Sequence, residues 1–174
     1  LVGRLLLSGA LWIEEGSSSP VKDLTLQDIG AYRTVTVDAM MKRWATGLDE
    51  KSINAIVSEA DRHDWCVSTA GCDPEFKTTG FLRAPTGVVK DFTAFSQSGE
   101  AWYDPGLVRC PVHIVVGELD RETTPSQGQQ VLAKLANARS KQLTIIGRGT
   151  HSLLLENNRH HLHRLSLNFL NDAT

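Results

Sequence analysis

The sequence has few residues of the kinds that mark a specialised class of protein. Cys accounts for 3 of its 174 residues, and aromatic residues make up 6%. The cysteines, Cys66, Cys72 and Cys110, are odd in number and irregularly spaced. Such a pattern disfavours a disulfide framework and indicates reduced thiols, so a cytoplasmic location is predicted. With 41% hydrophobic and 22% charged residues, the chain instead has the composition of an ordinary globular protein.

The sequence also gives no indication of a membrane, nucleic acid, a phosphate-bearing cofactor or a metal as a partner. No apolar run approaches the roughly 18 residues of a membrane span. The 18 basic and 20 acidic residues leave a net charge of −2, which gives no electrostatic reason to expect nucleic acid. No phosphate-binding glycine motif occurs, and the His160–His163 cluster lacks further ligands at suitable spacing for zinc. No cofactor and no metal are therefore predicted, and a small-molecule substrate is the expected partner.

Three short apolar runs predict the strands of a buried parallel sheet, in an α/β fold. They are Arg4–Ser8, Val112–Gly117 and Leu143–Gly147. Between the last two, Pro125–Ala138 has apolar residues at helical spacing, so strand, helix and strand form a βαβ unit. After the third strand, Ser152–Asn171 predicts a closing amphipathic helix.

A long segment separates the first predicted strand from the other two. Helices are predicted over Thr25–Gly47, Asp49–Trp65 and Thr86–Ser98. A connection of about 80 residues far exceeds the usual βα loop, so residues 16–99 are predicted to be a helical insertion. Residues 1–15 and 100–174 then form the core, and an insertion at the carboxyl ends of parallel strands would lie where such sheets bind ligands.

An acid and a histidine directly follow the two strongest strands. Val112–Gly117 runs into Asp120, and Leu143–Gly147 runs into His151. Neighbouring parallel strands deliver both residues to one edge of the sheet, where the acid could orient the imidazole as a general base. Gly147 and Gly149 could supply the backbone freedom that aims His151 over the sheet. The alternative is that Asp120 caps the following helix and His151 is an ordinary loop residue.

These segments, taken in order, resemble the carboxy-terminal half of an α/β-hydrolase. The motifs that carry the resemblance are Arg4–Trp12, Asp104-Pro105, Pro111–Asp120, Thr124-Pro125, Gly147–Ser152, Leu155–Arg159 and Phe169-Leu170. The resemblance implies that Asp120 and His151 are the acid and the base of a catalytic triad and that residues 16–99 are the cap, or lid. It also makes Trp12, which follows the sixth strand of the family, a candidate for lining the substrate pocket.

The sequence departs from that family in one large respect, because it contains no Gly-x-Ser-x-Gly nucleophile elbow. The chain begins without Met at an apolar run, as though within a domain. We therefore expect the nucleophile from an upstream segment or another chain, and no triad hydrolysis by the chain alone. The alternative is a non-catalytic binding or dimerisation module. An uncovered Leu5–Leu7 strand edge would favour pairing with a missing segment or a second copy.

Overall fold

The computed structural model describes residues 2–12, 27, 29–98 and 103–172. The chain divides into two compact units, one formed by Leu1–Trp12 with Tyr103–Thr174 and the other by Ile13–Trp102. The described strands and helices are, in chain order, β1 (Leu5–Ser8), β2 (Tyr32–Val35), α1 (Val37–Trp44), α2 (Glu50–Asn54), α3 (Glu59–Ala70), α4 (Phe76–Thr79), β3 (Leu82–Pro85), α5 (Gly87–Ser98), β4 (Val112–Gly117), α6 (Pro125–Lys134), β5 (Lys141–Ile146) and α7 (Arg159–Asn171).

The first unit is built on a parallel sheet with the strand order β1-β4-β5. All six residues of the central strand β4 are buried, as its continuous β-branched sequence predicts. Leu6 pairs with His113, and Val115 pairs with Thr144, which sets the register of the three strands. The predicted α/β sheet is confirmed, although the last strand begins two residues earlier than its apolar run.

Helices lie against both faces of this sheet. On one face, Val112 and Ile114 of β4 share a core cluster with Val131 and Leu135. Helix α6 begins with a capping box, in which Thr124 accepts from the Gln127 N–H and the Gln127 side chain accepts from the Thr124 N–H. Because residues along a strand alternate between faces, α6 holds one side of the central strand in place.

The opposite face is closed by the carboxy-terminal elements. Val115 and Ile146 form a cluster with Leu153 and Leu162, the latter from α7. Leu153 belongs to a short 3₁₀ helix, Leu153–Leu155, that precedes α7. The single helix predicted over Ser152–Asn171 is thus two helices joined by a turn, and the α-helical part begins only at Arg159.

The second unit does not consist of helices alone, because β2 and β3 pair as an antiparallel ribbon. The helix predicted over Thr25–Gly47 is wrong across β2, where Tyr32–Val35 is a strand; residues 25, 26 and 28 lie outside the described part. Aromatic and β-branched residues favour extended backbone, and the partner strand lies about fifty residues away. Only the helix α1 remains, ending at Trp44 before a turn at Gly47, whose φ is +78°.

The second predicted helix is also interrupted. Asp49 caps α2 as expected, accepting from the Ser52 N–H, but α2 ends at Asn54. Ser58 then starts α3 by accepting from the Asp61 N–H. The break lets Ile56 and Val57 turn inward and become buried. The third predicted helix is confirmed over Gly87–Ser98.

No helix in the described ranges combines the length and the apolarity that a membrane crossing requires.

Candidate functional site

The loops that follow β4 and β5 bring Asp120 and His151 into contact. Asp120 Oδ2 lies 3.0 Å from His151 Nδ1, although the two residues are 31 positions apart in sequence. The Asp120 side chain is only 3% exposed, whereas that of His151 is 39% exposed. A buried acid therefore contacts one ring nitrogen of a histidine that remains accessible to solvent.

Hydrogen bonds surround the Asp120 carboxylate on both oxygens. Oδ1 accepts from the backbone N–H groups of Glu122 and Thr123, and Oδ2 accepts from the Thr123 hydroxyl as well as from His151. Burial by itself would raise the pKa of Asp120, but the bonds from His151 and from the other donors outweigh it and hold that pKa below the usual value. Asp120 is thus a carboxylate at neutral pH.

The charge of Asp120 fixes the arrangement of protons on the neutral imidazole. A carboxylate can only accept hydrogen bonds, so the 3.0 Å contact requires that His151 Nδ1 carry the proton. Nε2 then holds a lone pair and is the basic nitrogen. This is the arrangement in which an acid orients a general base.

The alternative reading of Asp120 as a helix cap does not describe the structure. Thr124, not Asp120, occupies the cap position of α6. The Asp120 carboxylate instead closes a turn between β4 and that helix by accepting the N–H groups of residues 122 and 123. Its second oxygen remains directed at His151.

The close approach of the two loops depends on glycines. A Cβ added to Gly117 would lie 2.4 Å from the Gly149 carbonyl oxygen, and one added to Gly149 would lie 2.6 Å from Leu153 Cδ1. At Gly117 the obstacle is backbone, so this position requires the smallest residue, whereas at Gly149 the Leu153 side chain would have to shift. Neither Gly147 nor Gly149 has a positive φ, and the residue with positive φ in this loop is Arg148, at 56°. Its N–H donates to Glu118 Oε2 at 2.9 Å.

A buried carboxylate anchors the loop that carries His151. Glu156 is fully buried and accepts hydrogen bonds from the Thr150 N–H at 2.9 Å and from the Thr150 hydroxyl. Arg159 donates to the Glu156 carbonyl oxygen at 3.0 Å. These contacts fix the backbone beside His151 from within the same loop, and so limit where the imidazole can lie.

Three residues of the site were not predicted from the sequence. The Thr123 hydroxyl bonds Asp120 and lies 3.2 Å from His151 Nδ1. Glu122 Oε2 lies 3.6 Å from His151 Nε2, on the opposite side of the ring. Gly9, with φ of +64°, follows β1, and its Cβ would lie 2.6 Å from the Thr123 hydroxyl. The stretch Asp120–Thr123, with an acid and a Thr three positions apart, is a signal for a turn, but nothing in the sequence places Gly9 beside it.

The remaining candidates lie elsewhere. Trp12 packs in the core cluster that contains Val112 and Ile114, with its ring edge-on to Tyr103 and beneath the ammonium group of Lys134. Its role in binding substrate stays a prediction. His160 and His163 stack edge to face with ring centroids 6.2 Å apart. Within the described ranges, no group of three or more His, Cys, Asp or Glu side chains is arranged to hold a metal ion.

Comparison with solved structures places this geometry in a known fold. The crystal structure of monoacylglycerol lipase from Paleococcus ferrophilus matches 97% of the chain with a TM-score of 0.55 and 14% identity. A candidate non-heme bromoperoxidase from Mycobacterium tuberculosis H37Rv matches 99% of it, with a TM-score of 0.51 and 14% identity. The chain has part of the α/β-hydrolase fold. It spans only 58% of the lipase and 59% of the second protein. No protein-family model and no curated protein matches this α/β-hydrolase-like chain.

Proposed function

We propose that the chain provides the acid and the base of a serine-type α/β-hydrolase, with a nucleophile that comes from an upstream segment or another chain. The observation that carries this proposal is the 3.0 Å contact between buried Asp120 and His151 Nδ1. The contact leaves Nε2 as the proton acceptor. The two residues stand at the ends of neighbouring parallel strands, which is where α/β sheets place ligand-binding groups.

In this proposal each residue has a defined part in acyl transfer. His151 Nε2 takes the proton from the nucleophile's hydroxyl as its oxygen bonds to the substrate carbonyl carbon, and Asp120 stabilises the resulting imidazolium. The imidazolium then gives that proton to the leaving group as the bond to the carbonyl carbon breaks. In the second half, His151 takes a proton from water as the water oxygen bonds to the acyl carbon. The imidazolium then returns that proton to the nucleophile's oxygen as the acyl-enzyme bond breaks and the acid is released. Esters, thioesters, amides, lactones and cleavable C–C bonds share this chemistry.

The second unit is proposed as the cap of this enzyme. It interrupts the sheet-bearing unit between β1 and β4, as an insertion would. Selection among acyl substrates is assigned to it, since an insertion at the carboxyl end of a parallel strand would lie where such sheets bind ligands. Trp12 remains a candidate contact of the acyl group.

Fluorophosphonate labelling tests the proposed catalysis. The DNA upstream of the codon for Leu1 is read for an in-frame Gly-x-Ser-x-Gly, and the extended protein is expressed as wild type, His151→Ala and His163→Ala. We expect labelling of the upstream Ser in the wild type and in the His163→Ala control, and at least about a hundredfold slower labelling in His151→Ala. Equal labelling of His151→Ala, or no labelling of any form, would contradict the proposal.

A second candidate function is a non-catalytic module that binds a partner through β1. Within the described part of the chain, β1 pairs only with β4, and Leu5, Leu6 and Leu7 are half-buried. An open strand edge of this kind can accept a further strand from another polypeptide. Sedimentation of the purified chain distinguishes the possibilities, because a well-folded monomer without any associated chain would count against both the dimer and the two-chain enzyme.

A further inference from the structure

His151 lies between two carboxylates that come from one short turn. Asp120 Oδ2 is 3.0 Å from Nδ1, and Glu122 Oε2 is 3.6 Å from Nε2. The backbone explains why both come from the same turn: Asp120 Oδ1 accepts the N–H groups of Glu122 and Thr123, which turns the chain so that residue 122 faces back towards the imidazole. Each of the two ring nitrogens therefore has a carboxylate oxygen beside it.

The two carboxylates are not equivalent. The Asp120 side chain is 3% exposed and within hydrogen-bond distance of its nitrogen, whereas the Glu122 side chain is 32% exposed and lies slightly beyond that distance. Asp120 is held by several donors, so it stays in place in either charge state of His151. Glu122 is the more accessible of the two groups.

We propose, on the basis of the function proposed above, that Glu122 covers Nε2 when His151 is an imidazolium, and that the nucleophile's hydroxyl must displace it to reach the base. In the neutral ring, Nε2 carries a lone pair, which repels a carboxylate oxygen and accepts a hydroxyl proton. In the imidazolium, Nε2–H donates towards Glu122 instead. Glu122 thus contacts the nitrogen that performs the proton transfer and competes for it with the nucleophile.

Among the described residues, Asp120 and Glu122 place carboxylate oxygens next to the ring nitrogens, and Arg121, which lies between them in the sequence, is exposed. Asp120 and Glu122 come from the loop after β4, and Gly9, from the turn after β1, carries no charge. On the loop of His151 itself, Arg148 is exposed, and the buried Glu156 carboxylate is hydrogen-bonded to Thr150. Removing the Glu122 charge should therefore lower the affinity of Nε2 for its proton, since one of two attractive charges is lost.

The test is an NMR titration of the His151 ring in the full 174-residue chain, which needs no nucleophile. We compare the wild type with Glu122→Gln and with a control variant, Asp91→Asn. The control removes one negative charge from an exposed residue of α5. We expect the midpoint of the His151 titration to fall by about half a pH unit in Glu122→Gln and to stay unchanged in the control. An unchanged midpoint in Glu122→Gln would overturn the proposal.

A second measurement keeps the proposal testable if that variant folds poorly. Salt screens half-exposed charges, so raising the ionic strength should lower the wild-type midpoint of His151, and Glu122→Asp, whose shorter side chain retreats from Nε2, should show a smaller dependence. Identical salt dependence in both proteins would overturn the role of Glu122. Failure of fluorophosphonate labelling would contradict the proposed catalysis while leaving these titrations unaffected.

Discussion

At the scale of single residues, the site consists of a carboxylate whose hydrogen bonds outweigh its burial. Asp120 accepts four hydrogen bonds, of which two come from backbone N–H groups, one from Thr123 and one from His151. The backbone bonds persist for any residue other than proline at position 123. The bond from the Thr123 hydroxyl to Oδ2, the oxygen that contacts His151, requires a hydroxyl at that position.

Replacing Thr123 tests that dependence. Thr123→Val keeps the shape of the buried side chain but removes the hydroxyl that donates to Asp120 Oδ2 at 2.8 Å. We expect it to lower the free energy of unfolding by about 1 to 2 kcal/mol, whereas Thr123→Ser, which retains the donor, should lose less. Urea denaturation of the three proteins provides the measurement. Equal losses in the two variants would show that the methyl group, and not the hydroxyl, matters.

The charge of Asp120 also predicts how stability varies with pH. Its folded pKa lies below the unfolded value, so its contribution is complete above about pH 5 and is lost as the pH falls through the folded pKa. At neutral pH we expect Asp120→Asn to be about 2 kcal/mol less stable than the wild type, and near pH 3 the difference should shrink. Urea denaturation at both pH values measures it, and a difference independent of pH would contradict this account.

At the scale of elements, the site exists because two strands end at the same edge of the sheet with their loops in contact. The sequence indicated that Asp120 and His151 lie at this edge, since they follow the apolar runs that form β4 and the end of β5. Periodicity does not reveal pairing between distant segments. The ribbon of β2 and β3 was missed for that reason, because its two strands pair across a separation of about fifty residues.

For the same reason, the sequence does not show which strands and loops contact each other at the site. Gly9 follows β1, more than a hundred residues from Thr123, and only the parallel pairing of β1 with β4 brings them together. Arg148 adopts a left-handed conformation in a loop where the glycines on either side were the expected choice. Local chemistry predicts that a turn occurs but not which of its residues takes the unusual backbone angles.

Gly117 is the position at which the contact between the two loops is most sensitive to substitution. Gly117→Ala places a Cβ 2.4 Å from the Gly149 carbonyl oxygen, so the backbone must move. We expect a loss of about 1 to 3 kcal/mol in unfolding free energy, together with a weaker contact between Asp120 and His151. Gly3→Ala is the matched control, because no atom lies within 4 Å of its added Cβ. Similar thermal stabilities of the two variants would contradict the close approach.

At the scale of the whole molecule, the chain is less than three fifths of the length of the hydrolase-fold structures that it matches. Its sheet of three described strands has β1 at one side. Leu5 and Gly9 direct their N–H groups to β4. Since successive N–H groups of a strand alternate in direction, those of Leu6 and Ser8 face the other side of β1.

This alternation allows the association through β1 to be tested by one substitution. Ser8→Pro removes an outward N–H group without removing a bond to β4, whereas Ser8→Ala keeps it. If the chain associates through β1, sedimentation velocity should show a dissociation constant at least about tenfold higher for Ser8→Pro than for Ser8→Ala. Equal association of the two variants would place the interface elsewhere.

The position of the proton on the neutral His151 ring tests the central claim most directly. Long-range ¹H–¹⁵N correlation spectra of the full chain, recorded well above the midpoint of the His151 titration, distinguish the two nitrogens. The 3.0 Å contact with Asp120 predicts a protonated Nδ1 and an unprotonated Nε2, and this preference should be lost in Asp120→Asn. A proton on Nε2 in the wild type would contradict the account, because the lone pair would then lie on Nδ1, which is in contact with Asp120, and Nε2 could not accept the proton of a nucleophile's hydroxyl.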